Sequence, residues 1–387
     1  MSISTMKGFL RVLIVGLFVL SVSGCSGSKE EAANRYLNSG IELYDEGELS
    51  KASVELRNAL QIDPKLANAY YYLALISEKN QNWKSLYKNL SKVEQLDSNH
   101  VQAKIKLAYL MLLAKQADTA LEKADFILAL DKNNPEAFAI KASAYLQKEL
   151  YDVAMEYIEK ALEQDSDSAE ISSIKVSIMH KQGDTEGALA LLTEIIERDR
   201  DSLQLLLLRA EINQEINDIQ AMEADYRTLI RSNPDEKGFY LKLARLLHEG
   251  DRTDAAIGVL KDYLKRDAKD TQVRIAIIEI LSRQDEVAGE ELLNQYIAKD
   301  TANAELRFYR IDRLLTAGDQ VQALVQLEEI SDGAFQDQDL FRARSLKADL
   351  KLGAGEHDLA LQLANKILQA DSNFEQALLV RAKYHLI

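Results

Sequence analysis

The chain has 387 residues with only 16 Gly and 3 Pro, too few turn-formers for an all-β fold, a collagen repeat or a Pro/Gly-rich disordered chain. Hydrophobic residues at 47% and charged residues at 28% supply both a core and a soluble surface, a profile that fits helices from end to end. The net charge of −15 without a basic block argues against nucleic acid as a partner, and the single cysteine, Cys25, leaves no intramolecular disulfide and no cysteine zinc site.

Residues 1–24 differ from everything after them. Lys7 and Arg11 carry positive charge, no acid appears before Glu30, and a short apolar run extends from Val12 to Leu20. That run is too short to span a membrane as a helix, which needs about 20 residues. Its charged, then apolar, then small-residue order is that of a secretory signal. The run ends in Val22-Ser23-Gly24-Cys25, which resembles the lipobox of bacterial lipoproteins at all four positions. The resemblance implies cleavage between Gly24 and Cys25, a diacylglyceryl group on the Cys25 sulfur and acylation of the new amino terminus. The membrane would then be a partner through the Cys25 lipid. The other reading is an ordinary signal peptide whose cysteine is incidental. Ser26 stands where an Asp would imply inner-membrane retention, so the resemblance implies an outer-membrane anchor facing the periplasm. Residues 25–32 are expected to be the lipidated cysteine and a short flexible tether.

From residue 33 a period of about 34 residues runs through the chain. Tyr36, Gly40, Leu43, Gly47, Ala52, Leu56, Ala59 and Pro64 stand at fixed offsets in the first unit, and equivalent positions recur in about ten units. Ala120, Ala154, Ala188, Ala256, Ala323 and Ala360 repeat Ala52, while Gly183, Gly318 and Gly355 repeat Gly47. The eighth unit is one residue short in its loop. The small residues predict close helix–helix approach, and the glycines predict turns with positive φ. Pro64, Pro135 and Pro234 fall between units, where a helix must stop.

This pattern resembles the tetratricopeptide repeat (TPR), a pair of antiparallel helices per unit. The resemblance implies an all-α fold, a right-handed solenoid of helix–turn–helix repeats. The expected organisation is a solenoid of about nine repeats over 33–330, a flexure at 331–340 marked by Asp332, Gly333, Asp337 and Asp339, and a tenth repeat with an incomplete eleventh over 341–387. An array truncated at Ile387, or continuing onto a partner, would explain the half repeat. The run Ala52–Pro64 is similar to the first repeat of multi-repeat lipoproteins of Gram-negative bacteria, including those of exopolysaccharide export and PEP-CTERM/exosortase systems.

No chemistry-bearing constellation emerges, so the chain is expected to be no enzyme and to need no cofactor or metal. The five histidines, His100, His180, His248, His357 and His385, include no i, i+3 or i, i+4 pair. Glu159 and Glu163 read as a solvated helix face, and Trp83 as a packing residue. What remains is a surface. In such repeats the first helices line a concave groove, where the offsets place Leu37, Ile41, Tyr44, Tyr71, Leu75, Ile105, Tyr109 and Leu112. Two readings stand for this stripe: a groove for a protein or peptide partner, or side chains that finish the core. Farther along, the same offsets give Ser173, Ser177, Glu211, Gln214, Arg245, Glu279, Asp312 and Asp349. The Lys/Asn carboxylate clamp of some family members has no equivalent at Leu37, Ile41, Tyr71 and Leu75. The resemblance implies a membrane-anchored periplasmic scaffold for protein–protein interactions, serving an envelope secretion or exopolysaccharide export machinery. The alternative is the non-catalytic part of a longer chain or complex that handles glycan or is catalytic beyond residue 387.

Overall fold

Every regular element among the described residues is a helix, as the all-α reading requires. The structure, a computed structural model, describes residues 25–331 and 335–387, with side chains from residue 29 onward. The expected signal segment 1–24, the Cys25 side chain, Asp332 and Gly333 therefore lie outside the described residues. Helices come in pairs joined by short turns. Cys25–Asp45 pairs with Leu49–Ile62, Ala67–Lys79 with Trp83–Leu96, and Val101–Leu113 with Ala117–Leu130. Pro135–Gln147 with Tyr151–Gln164 and Ala169–Lys181 with Thr185–Arg198 follow. Next come Leu203–Glu215 with Ile219–Ser232, Lys237–Glu249 with Thr253–Leu264, and Thr271–Gln284 with Glu286–Lys299. Ala304–Thr316 with Gln320–Ser331 and Asp337–Gly353 with His357–Ala370 complete ten repeats, and Glu375–Tyr384 is a last single helix.

The chain divides into two compact units, Met1–Arg198 and Asp199–Ile387. The division falls in a loop of exposed charges, Asp199-Arg200-Asp201, which offers no apolar side chain to a core. Asp337 and Asp339, read as part of a flexure, instead occupy the first turn of a helix, where carboxylates oppose the positive end of the dipole. The expected tether is also helical: the first helix begins at Cys25, carried through Ser26–Glu31 by helix-forming Lys29, Glu30, Glu31, Ala32 and Ala33. Six residues then reach about 9 Å rather than about 20 Å.

Within each unit the core is segmented. Ala52, Leu56 and Ala59 of the first repeat pack with Ala69, Leu73 and Ile76 of the second. In the second unit Ala323, Leu327 and Ile330 of the ninth repeat likewise meet Ala343 of the tenth. Within each unit, such a repeat completes its core on the first helix of the next, the nearest-neighbour logic of a solenoid.

The turn inside each repeat follows one design. In the first, Gly47 lies at φ +82°, its N–H donates to the Tyr44 carbonyl at 3.0 Å, and the Glu48 N–H donates to the Leu43 carbonyl at 2.8 Å. This is a Schellman closure of the helix end. The same two bonds recur in nine of the ten pairs among the described residues. The left-handed residue is Gly47, Gly183, Gly318 or Gly355 as expected, but Gln81, Lys115, Glu149, Asn217 and Asp251 adopt it too, at φ between 54° and 61°. The eighth repeat is the exception. Its missing residue leaves Asp285 as both C-cap and N-cap, at φ −146°, with its N–H on the Leu281 carbonyl and its Oδ1 accepting from the Ala288 N–H at 3.1 Å. The shortened turn pulls the two helices together at Gly289, the position of Ala256 and Ala323 in neighbouring repeats. A Cβ there would lie 1.9 Å from Ser282 Oγ and 2.9 Å from Ser282 Cα. At Gly40 in the first repeat, a Cβ would sit 2.7 Å from Leu56 Cγ.

Polar staples join successive repeats. Glu94 accepts from Lys104 at 2.8 Å and from Lys123 at 2.9 Å, tying the second repeat to both helices of the third. Lys104 is buried and also stands 4.2 Å from the Phe126 ring. Burial alone would raise the Glu94 carboxyl, but the hydrogen bonds from the two lysines outweigh it and hold its pKa below the ordinary value of 4.5. In the second unit Arg274, itself buried, donates to the Ala268 carbonyl at 2.6 Å and to Asp300 Oδ2 at 3.0 Å.

Gly289→Ala should cost about 2–4 kcal/mol in urea unfolding because backbone and side chain both clash, whereas Lys115→Gly should gain about 0.5–1 kcal/mol by relieving a left-handed side chain. Because the Glu94 pKa is lowered on folding, its contribution is complete above the unfolded value and is lost as pH falls below about 4.5. The stability difference between wild type and Glu94→Gln, measured by denaturation at a series of pH values, should be constant near neutrality and vanish in acid.

Candidate partner-binding face

The stripe expected on the first helices of repeats one to three separates into two sets. Leu37 is 7% exposed and sits with Leu56 and Leu73 in the first core cluster. Ile105 is 5% exposed and packs with Ala108 and Ile127, and Leu112 is buried in the same cluster. These three finish the core, so the groove assignment of Leu37 and Ile105 is corrected. The aliphatic side chains at this offset end within the core clusters, whereas Tyr71 at the same offset extends its larger ring to Tyr72 and His100. Ile41, Tyr44, Tyr71, Leu75 and Tyr109 are half-buried and keep part of their surface accessible.

The half-buried set centres on aromatics. The Tyr44 and Tyr72 rings meet edge-to-face at 5.4 Å, and Tyr71 meets Tyr72 edge-to-face at 5.9 Å. Tyr71 also lies 4.6 Å from the ring of His100, whose Nδ1 accepts from the Ala103 N–H and caps the next helix. Lys79 Nζ stands 4.7 Å from the Tyr44 ring. Tyr72 links Tyr44 to Tyr71, a role the offsets did not assign it; the run Tyr70-Tyr71-Tyr72 was its only signal. Burial, with help from the Glu78 charge, raises the pKa of both Tyr44 and Tyr71. Tyr109 is pushed up to about 12, chiefly by burial and then by Glu136 and Glu170. All three phenols are therefore protonated near neutrality. Glu78 accepts from Lys106 at 2.7 Å, a bond between the first helices of two repeats that places a charge pair beside the aromatic cluster.

The later offsets behave differently. Ser173 and Ser177 turn their hydroxyls back to helix carbonyls, of Glu170 at 2.7 Å and of Ser173 at 3.0 Å. In the second unit Glu211, Arg245, Glu279 and Asp312 are exposed, and Arg245 pairs with Glu249 at 2.8 Å. Asp349 pairs with Lys383 at 2.6 Å. Trp83, read as a packing residue, is 54% exposed, because it opens the second helix of its repeat on the outward side. Glu159 is exposed and 3.8 Å from Lys175, an ordinary surface pair. Among the described residues no group of three or more His, Cys, Asp or Glu side chains could hold a metal, and no helix is long and apolar enough to cross a membrane.

Models of the tetratricopeptide repeat match residues 40–81, 96–169, 145–212 and 215–271, together more than half of the chain. The chain is a tetratricopeptide-repeat protein. As a TPR protein it belongs to a class of protein-interaction scaffolds. Solved TPR folds similar to it include PilF of Pseudomonas aeruginosa, at 20% identity over 55% of this chain and 96% of that one, with a TM-score of 0.41. A tetratricopeptide repeat protein of Parabacteroides merdae aligns at 14% identity over 65% of this chain and 99% of that one, with a TM-score of 0.47. PilW, described as a type IV pilus biogenesis factor, aligns at 15% identity over 56% and 98%, with a TM-score of 0.45. No curated protein matches this TPR chain in sequence.

The two sets of side chains should separate experimentally. Leu37→Ala and Ile105→Ala should each cost about 2–4 kcal/mol of stability in urea unfolding. Leu75→Ala, at a half-exposed position, should cost about 1 kcal/mol or less, leaving the fold available for binding measurements.

Proposed function

We propose that this TPR protein is a lipid-anchored scaffold that holds other proteins at the periplasmic face of the outer membrane. Its place would be in an envelope secretion or exopolysaccharide export machinery. The anchor in this reading is Cys25, within Val22-Ser23-Gly24-Cys25. Several acyl chains, each worth about 0.8 kcal/mol per buried CH₂, would hold it there. The observation that carries the binding role is the aromatic cluster of Tyr44, Tyr71 and Tyr72. It keeps accessible surface on the first-helix side although the core beneath is already closed by Leu37, Leu56 and Leu73. Tyrosines with one apolar face and a protonated hydroxyl suit a protein partner that offers both apolar side chains and hydrogen-bond acceptors. The helical start at Cys25 favours a scaffold standing close to the bilayer, since the connecting residues add little reach.

Photo-crosslinkers placed at Tyr71 and Leu75 in native membranes should recover a discrete protein partner, and the same probe at exposed Val325 should not. Recovery of no protein from either groove position would remove the main support for the scaffold. Separately, Cys25→Ser should move the protein from the membrane to the soluble fraction; continued membrane fractionation would sink the lipid anchor.

A further inference from the structure

The second unit contains a cleft that the partner-binding face does not use. It lies between the second helix of repeat six, Ile219–Ser232, and both helices of repeat seven, Lys237–Glu249 and Thr253–Leu264, with a volume of about 640 Å³. Its floor is apolar and buried: Tyr240, Leu243 and Val259. The Tyr240 hydroxyl is already spent on the Pro234 carbonyl at 3.0 Å, and its ring is held edge-on against Tyr263 at 5.2 Å, so the floor is rigid. Its rim is basic. Arg227 and Arg231 stand at i, i+4 on one wall, and Arg266 comes from the other. In a chain of net −15, three exposed guanidiniums at one cleft depart from the general charge balance. Asp262 is the single carboxylate that lines it, and Lys265 pairs with it at 2.6 Å.

These arginines are held loosely. Arg266 bonds Asp235 at 3.1 Å in an exposed pair of the weak, exchangeable kind, while Arg227 bonds Glu223 at 2.7 Å, a carboxylate it shares with Arg252. Arg231 donates to the neutral hydroxyl of Thr228 at 2.9 Å.

We propose that this cleft binds a small phosphomonoester whose organic part is apolar. Guanidiniums from two walls suit a tetrahedral dianion, which accepts hydrogen bonds from several directions, better than a planar carboxylate satisfied by one fork. The volume is that of a small-molecule site, and the buried floor gives an apolar body somewhere to lie.

The test is calorimetric titration of the full chain with hexyl phosphate, inorganic phosphate and 1-hexanol. Hexyl phosphate should bind with one-to-one stoichiometry at least tenfold more tightly than inorganic phosphate, and hexanol should not saturate. Arg231→Met and Arg266→Met should each weaken hexyl phosphate at least fivefold with an unchanged thermal midpoint, while Arg245→Met, outside the cleft, should leave it unchanged. Equal affinity for hexyl and inorganic phosphate, no saturable binding of hexyl phosphate, or binding indifferent to Arg231→Met and Arg266→Met would each overturn the proposal.

Discussion

Everything in this protein depends on how closely the two helices of a repeat can approach. In seven repeats that distance is set at one position on the second helix, occupied by Ala52, Ala120, Ala154, Ala188, Ala256, Ala323 or Ala360, each fully buried, while Leu86 and Met222 fill it in repeats two and six. A side chain no larger than a methyl lets one helix lie on the other closely enough for the flanking leucines and isoleucines to interlock. The eighth repeat shows the constraint by its extreme case. One residue fewer in the turn brings the helices closer, and the methyl itself no longer fits, so Gly289 stands where alanine serves elsewhere. In the eighth repeat turn length and side-chain size thus change together: the shorter turn is matched by the loss of the methyl.

The second level of organisation is between repeats, and there the chain mixes two kinds of join. Within each unit the cores are apolar, with a repeat covered by the first helix of the next. Set into these seams are the Glu94 pair of lysines and the Arg274–Asp300 bridge. A half-buried ion pair adds little net stability over a well-packed hydrophobe, but its geometry has one correct solution. Its contribution is register: an apolar seam tolerates a slip, and a lysine bonded to one carboxylate does not.

The sequence made the repeat legible because the chain spells it ten times, and the features that recur are those that sterics dictate. Gly47, Gly183, Gly318 and Gly355 announce left-handed turns directly. Gln81, Lys115, Glu149, Asn217 and Asp251 occupy the same conformation without announcing it, since only the surrounding hydrogen bonds compel it. The candidate site was legible to within one helical face but not to the residue. Leu37, Tyr71 and Ile105 share one repeat offset, yet the two aliphatic side chains are buried in core clusters while the larger tyrosine keeps part of its surface accessible. Trp83 was misread for a related reason: proximity to a turn says nothing about the side to which a helix's first residue points. The helical continuation to Cys25 was hidden by Ser26-Gly27-Ser28, whose composition reads as linker, whereas the helix-forming residues after it extend the element backward.

The five non-glycine left-handed turns have a thermodynamic meaning. Each holds a side-chain-bearing residue in a region that costs of order 1 kcal/mol, less for Asn217 and Asp251. Folded domains are stable by only about 5–15 kcal/mol in total. The strain is therefore a substantial part of the margin, and it is unevenly held: repeats two, three, four, six and seven carry it, while one, five, nine and ten have glycine. In an array where each repeat leans only on its neighbours, such unevenness grades local opening along the chain. Rigid and yielding segments would then be written into the fold by backbone conformation alone, in turns that touch neither core nor partner.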